Sequence, residues 1–124
     1  MMNDLFTFPE KVRVIHVNGR LGKSYEVYCG RPNPHYGFAG SPLCNPFHAD
    51  SERERNRVCD EYERYFLAQI ESGFPLFVNE LERLANLYYN YGKLDLMCWC
   101  VPKRCHCDTI RRHLDHVITK HEAQ

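Results

Sequence analysis

Residues 98–108 read CWCVPKRCHCD, which places Cys98, Cys100, Cys105, His106 and Cys107 close together and Asp108 at the end. Three chemistries use these residue types. Thiolates and imidazole are zinc ligands, and on an extended strand Cys98 and Cys100 project to one face with Cα atoms about 6.5–7 Å apart. That spacing disfavours a disulfide between them. It suits a metal better, because Zn–S bonds near 2.3 Å leave sulfurs roughly 3.8 Å apart. Cys105 or His106 could return across the Pro102 turn to complete such a site, although the Cys-x-x-Cys knuckle of common zinc modules is absent. A second chemistry is nucleophilic: Cys105 near a helix start has a lowered pKa, with His106 as general base. The third is binding, since the first N–H groups of a helix attract anions, phosphate above all.

The binding chemistry draws in a second stretch, GRPNPHYGFAGSPLCNPF at 30–47, too rich in glycine and proline for a regular element yet aromatic. Arg31 can clamp a phosphate bidentately, and Asn45 offers a donor and an acceptor to a base or ribose edge. Gly30 allows close backbone approach, and Tyr36 and Trp99 can pack on an aromatic ring. Asp108 serves as helix N-cap or contacts a ribose hydroxyl. Each residue also has a plainer role. Trp99 suits a core, Cys59 is a packing thiol, and the loop is a packed surface segment. Lys103, Arg104 and the charged helix face of Arg53, Arg55, Arg57, Glu61, Glu63 and Arg64 suit solvent, and His16 and His113 are packed or surface residues. Glu26 and Asp95, acids within strands, are expected to pair with Arg31.

Elements that would position these residues follow from the patterning. VRVIHV at 12–17 and Tyr25 to Cys29 are β-rich, and Asn18-Gly19 between them signals a hairpin or closely neighbouring pair. Ser51 to Glu54 has the form of a capping box. A helix then runs to about Ser72 with Val58, Tyr62, Tyr65, Phe66 and Ile70 inward. A second helix starts near Phe77, turns Val78, Leu81, Leu84, Ala85 and Tyr88 inward, and stops at Gly92. LDLMCWC at 94–100 is apolar on both faces, as in a central strand. A last helix follows Asp108 with Ile110, Leu114, Val117 and Ile118 inward. The expectation is a small single α/β domain of order β-β-α-α-β-α, with a short, at least partly parallel sheet flanked by helices. It spans 12–120, after an N-terminal arm at 1–11 with Phe6 and Phe8 as anchors and before a tail at 121–124. Strands two and three, joined by a helical crossover, should be parallel neighbours. Ligands of such sheets sit outside the strands' carboxyl ends, where GRP and the cysteine segment both emerge.

GRP after a strand, a loop closing on NPF, and a later CWC-x-P-x-x-CH-x-D together resemble the uncharacterised family catalogued as domain of unknown function 4326, of bacteria and phages. The resemblance covers roughly residues 12–118. Cys44 stands where that family usually has glycine before Asn-Pro-Phe, the loop is longer than usual, and Cys107 occupies a variable position. The resemblance implies a site at these motifs and no particular reaction. A phage-encoded member would make a host protein a candidate partner.

Sixteen basic and sixteen acidic residues give a formal charge of zero, which gives no global field for nucleic acid or an anionic membrane. No apolar run reaches the roughly 20 residues of a membrane span. The N-terminus lacks a signal-peptide layout, and seven cysteines are an odd count, so the expected setting is cytoplasmic with free thiols. Two readings remain. One is a domain binding a nucleotide-like or sugar-phosphate ligand, which it would hydrolyse or transfer if an enzyme. There Gly30, Arg31, Asn45, Tyr36 and Trp99 bind, and His106, Asp108 and Cys105 act as catalytic groups. The other is a non-enzymatic, zinc-clipped or thiol-rich interaction module for a protein or nucleic-acid partner, with Cys98, Cys100, Cys105 and His106 on the metal. The cofactor is left unknown, with zinc as the candidate.

Overall fold

The computed structural model describes residues 10–18 and 22–124. Strands β1 (Arg13–His16) and β2 (Glu26–Tyr28) come first. Helices α1 (Arg55–Ser72) and α2 (Pro75–Tyr91) follow, then β3 (Asp95–Cys98) and α3 (Cys107–Glu122). The expected α/β domain and its chain order are what the molecule has. Short 3-10 turns at Pro34–Tyr36 and Glu52–Glu54 interrupt the long loop.

All pairing is parallel, in the order β1-β3-β2. The β1–β2 hairpin is therefore not formed, because β3 lies between them. β3 is buried at every position, so the centre, where both edges are hydrogen-bonded, suits it best. Arg13 and Val17 donate to the carbonyls of Leu94 and Cys98 on one edge, and Cys29 donates to that of Met97 on the other. Asn18 does take the left-handed conformation of its turn signal (φ 54°), but residues 19–21 lie outside the described residues, as do Phe6 and Phe8.

Alternation along β3 divides the interior. Leu96 and Cys98 join the main core with Val12, Val27 and Cys29 from the sheet and Tyr62, Phe66, Phe77, Leu84, Ile110 and Leu114 from the helices. Met97 and Trp99 point the other way, into a small cluster with Val17, Tyr28 and Phe38. Helix limits follow local chemistry. Gly73 and Gly92 take left-handed C-caps, and Pro75 opens α2 two residues before Phe77.

The capping box does not form. Ser51 makes no side-chain cap bond, while the Glu54 carboxylate accepts from the Asp50 N–H and pairs with Arg57. Asp108 is not an N-cap either. It sits within the first turn of α3 and its Oδ2 accepts the Cys105 N–H at 3.1 Å. Val78 and Val117 are exposed, at the rim of a groove between α2 and α3. Glu10 and Lys11 are tied to α3, through Arg111 at 3.0 Å and the Asp115 carboxylate at 2.9 Å, and α3 itself continues to Glu122.

Candidate functional site

At the carboxyl edge of the sheet the loop after β2 is built around close approaches. A Cβ on Gly30 would lie 2.5 Å from the Tyr28 hydroxyl. That hydroxyl donates to the Arg31 carbonyl at 2.7 Å and accepts from the Trp99 indole at 3.2 Å. Arg31 returns its guanidinium to the distal end of the loop, donating to the carbonyls of Asn45 (2.9 Å) and Phe47 (2.7 Å). Asn45 is spent locally as well. Its Oδ1 accepts the Phe47 N–H and its Nδ2 donates to the Val58 carbonyl. Tyr62, fully buried on α1, donates to the Leu43 carbonyl at 2.6 Å. GRP and NPF are thus stapled to one another and to α1.

Arg31 pairs with neither strand acid. Asp95 takes Arg13 in a bidentate pair at 2.8 Å for both bonds, and Glu26 accepts the N–H groups of Gly22 and Lys23. Both acids lie at the amino ends of their strands, in register with Arg13, whereas Arg31 emerges at the opposite end.

The cysteine segment leaves β3 beside this loop. The Cys100 carbonyl accepts the Lys103 N–H at 2.8 Å, and that turn brings Cys105 back under Cys98 with Sγ atoms 3.0 Å apart. The Sγ atoms of Cys98, Cys100 and Cys105 all lie within 4.8 Å of one another, and these cysteines could hold a metal. A second set, Cys105, His106 and Cys107, shares Cys105. The four expected metal ligands therefore fall into two overlapping groups. All seven cysteines are free thiols.

His106 is almost fully buried, with Nε2 2.7 Å from the Cys29 carbonyl and Nδ1 3.4 Å from Cys105 Sγ. A carbonyl only accepts, so Nε2 carries a proton and Nδ1 faces the sulfur. Burial pushes the His106 pKa down, but the hydrogen bond and charge of Cys105 outweigh it and the net shift is upward. Hydrogen bonds from Cys100, Cys107 and Cys98 hold Cys105 well below the ordinary thiol range. Cys100 and Cys107 are pushed up by the same contacts with Cys105. Cys98 is shifted down as well, chiefly by its hydrogen bond with Cys100.

These parts meet in a cavity of about 580 Å³. Gly30, Arg31, Asn45, Cys98, Trp99, Cys100, Cys105 and His106 line it. Tyr36 and Asp108 do not. Tyr36 packs on Trp99 with ring centroids 5.1 Å apart, and Asp108 serves the Cys105 backbone. Sequence reasoning missed Arg55 and Arg104, which also line the wall. Arg55 grips Glu52 in a bidentate pair and donates to the Arg104 carbonyl at 2.9 Å, and its hydrogen bonds with Glu52 and then Cys100 raise its pKa. Its place in the helical row with Val58, Cys59 and Tyr62 was the available signal. The start of α3 is not free for an anion as expected. The Cys107 N–H is turned toward Cys105 Sγ, and those of Asp108 and Thr109 are taken by the carbonyls of Cys105 and His106.

A family model described as "Domain of unknown function (DUF4326)" matches residues 12–116. The chain belongs to that family. All the segments that wall the cavity lie within the DUF4326 match. Comparison with curated proteins and with solved structures gives no match. Among the described residues, no helix is long and apolar enough to cross a membrane.

Proposed function

We propose that the carboxyl-edge cavity binds a small phosphorylated ligand of nucleotide or sugar-phosphate class, within a reducing, cytoplasmic setting. The observation that carries this reading is the cavity itself. Its roughly 580 Å³ matches a small-molecule site, and three arginines (Arg31, Arg55 and Arg104) share its wall with a thiol–imidazole pair. Arg55, held by Glu52, and Arg104, held by Asp60 at 2.8 Å, would turn from these carboxylates to meet a phosphate, and Trp99 with Tyr28 offers an aromatic flank. Hydrolysis or group transfer are the reactions that the Cys105–His106 pair would serve. A thermal-shift screen against nucleoside monophosphates and sugar phosphates tests the reading. A stabilising hit weakened by Arg104→Gln supports it, and a flat screen together with flat calorimetry rejects it.

The second reading, a zinc-clipped interaction module, is favoured by the three converging sulfurs. It predicts one zinc per chain, no small-ligand response, and a large fall in melting temperature with chelator.

A further inference from the structure

We propose that Cys98, Cys100 and Cys105 form a three-thiolate site for a zinc-class divalent metal whose fourth coordination position opens into the cavity. The ligand and metal readings then describe one site. Metal binding stands on the sulfur geometry alone, and only the identity of the incoming ligand rests on the proposed function.

The three Sγ atoms, within 4.8 Å of one another, need adjustments of about 1 Å to reach the roughly 3.8 Å separations of tetrahedral zinc. Their supports are fixed by other bonds. Cys98 ends the central strand and its carbonyl accepts the Val17 N–H. Cys100 holds the turn through the Lys103 N–H, and Asp108 fixes the Cys105 backbone. Each of the three also borders the cavity.

Charge and coordination number complete the case. Three thiolates on a divalent ion leave one net negative charge, and Arg55, in contact with Cys100, is placed to balance it. The sulfurs supply three ligands, and His106 is not in their set. Its Nε2 is engaged by the Cys29 carbonyl and lies 3.8 Å from Cys107 Sγ, its Nδ1 lies 3.4 Å from Cys105 Sγ, and it groups with Cys105 and Cys107 instead. His106 therefore acts beside the ligand sphere, as an outer partner of Cys105. Three protein ligands with one position left to water or substrate is the arrangement of reactive zinc centres, whereas structural ones are closed by four.

The test loads the full chain with zinc, measured by elemental analysis, and with cobalt(II), read by its visible absorption. Azide and inorganic phosphate are then added as separate probes. One metal per chain is expected, with thiolate-to-cobalt charge transfer and tetrahedral bands. Cys100→Ser, at the least buried of the three positions, should lose tight binding, while Cys59→Ser should keep it. His106→Gln should retain the metal and its charge-transfer intensity. Azide should shift the cobalt bands. Absence of metal, loss of metal in His106→Gln, or bands indifferent to both probes overturns the proposal. A shift with azide but not phosphate upholds the open metal site and removes the phosphate reading. Phosphate stabilisation of a metal-free protein that takes up neither ion does the reverse.

Discussion

Gly30→Ala inserts one carbon where the chain has no room for it. The new Cβ would stand 2.5 Å from the Tyr28 hydroxyl oxygen, 2.7 Å from Cζ and 3.0 Å from Cε1. Ordinary contact begins at 3.4 Å, so the ring must retreat by about 1 Å. Tyr28 is buried, packs on Phe38 at 4.6 Å, and holds two hydrogen bonds through its hydroxyl. Losing both bonds costs about 1 kcal/mol each, and overpacking adds about 1–3 kcal/mol, for roughly 3–5 kcal/mol in all. For a domain near this size the loss lowers the melting temperature by at least about 8 °C. Urea unfolding followed by tryptophan fluorescence suits the measurement, since the chain has one tryptophan and it contacts Tyr28. In a Tyr28→Leu background the obstructing ring is gone and the same substitution should cost far less. A Gly30→Ala protein within about 0.5 kcal/mol of the parent, or a strictly additive pair, would refute the reasoning.

Tyr62→Phe should cost about 1–3 kcal/mol in denaturant unfolding, because it orphans the buried Leu43 carbonyl that anchors the loop to α1. Arg13→Met leaves the buried Asp95 carboxylate without its bidentate partner. Because the Arg13 side chain is 61% exposed, the cost should be about 1–3 kcal/mol, below that of a fully buried pair. Burial, and then the charge of His116, hold His113 below its ordinary pKa of 6.5. The folded state thus binds fewer protons there than the unfolded chain. Its stability contribution is full above pH 6.5 and is lost as pH falls from 6.5 toward the lowered value. Melting temperatures of His113→Phe across this range should show a shallower acid decline than the parent's.

The order of elements was legible because it rests on local patterning. Apolar spacing marks α1, and the run at 94–98, apolar on both faces, marks a central strand. The parallel pairing of β2 with β3 followed from the helical crossover. The neighbours of β1 were not legible. Asn18-Gly19 is a strong local signal, but pairing is decided by which strand gains most from two hydrogen-bonded edges, a non-local quantity. At the cavity, the convergence of GRP and the cysteine segment could be anticipated, since both leave the sheet at one edge, and NPF closes the loop that GRP opens. Bond partners could not. Arg31 turned to backbone carbonyls, Asp108 to the Cys105 N–H, and Arg55 and Arg104 looked like solvent-facing charges until α1 was seen against the β3 exit.

Trp99 gives the cavity a single reporter, because its indole N–H is the only one in the chain and the residue lines the cavity. The decisive measurement is the two-dimensional NMR titration of that indole resonance with nucleoside monophosphates and sugar phosphates. The account predicts a saturable shift of the Trp99 indole, accompanied by the amides of residues 30–32 and 98–106. Shifts confined to the groove between α2 and α3, or no shift with any phosphorylated compound, would contradict it.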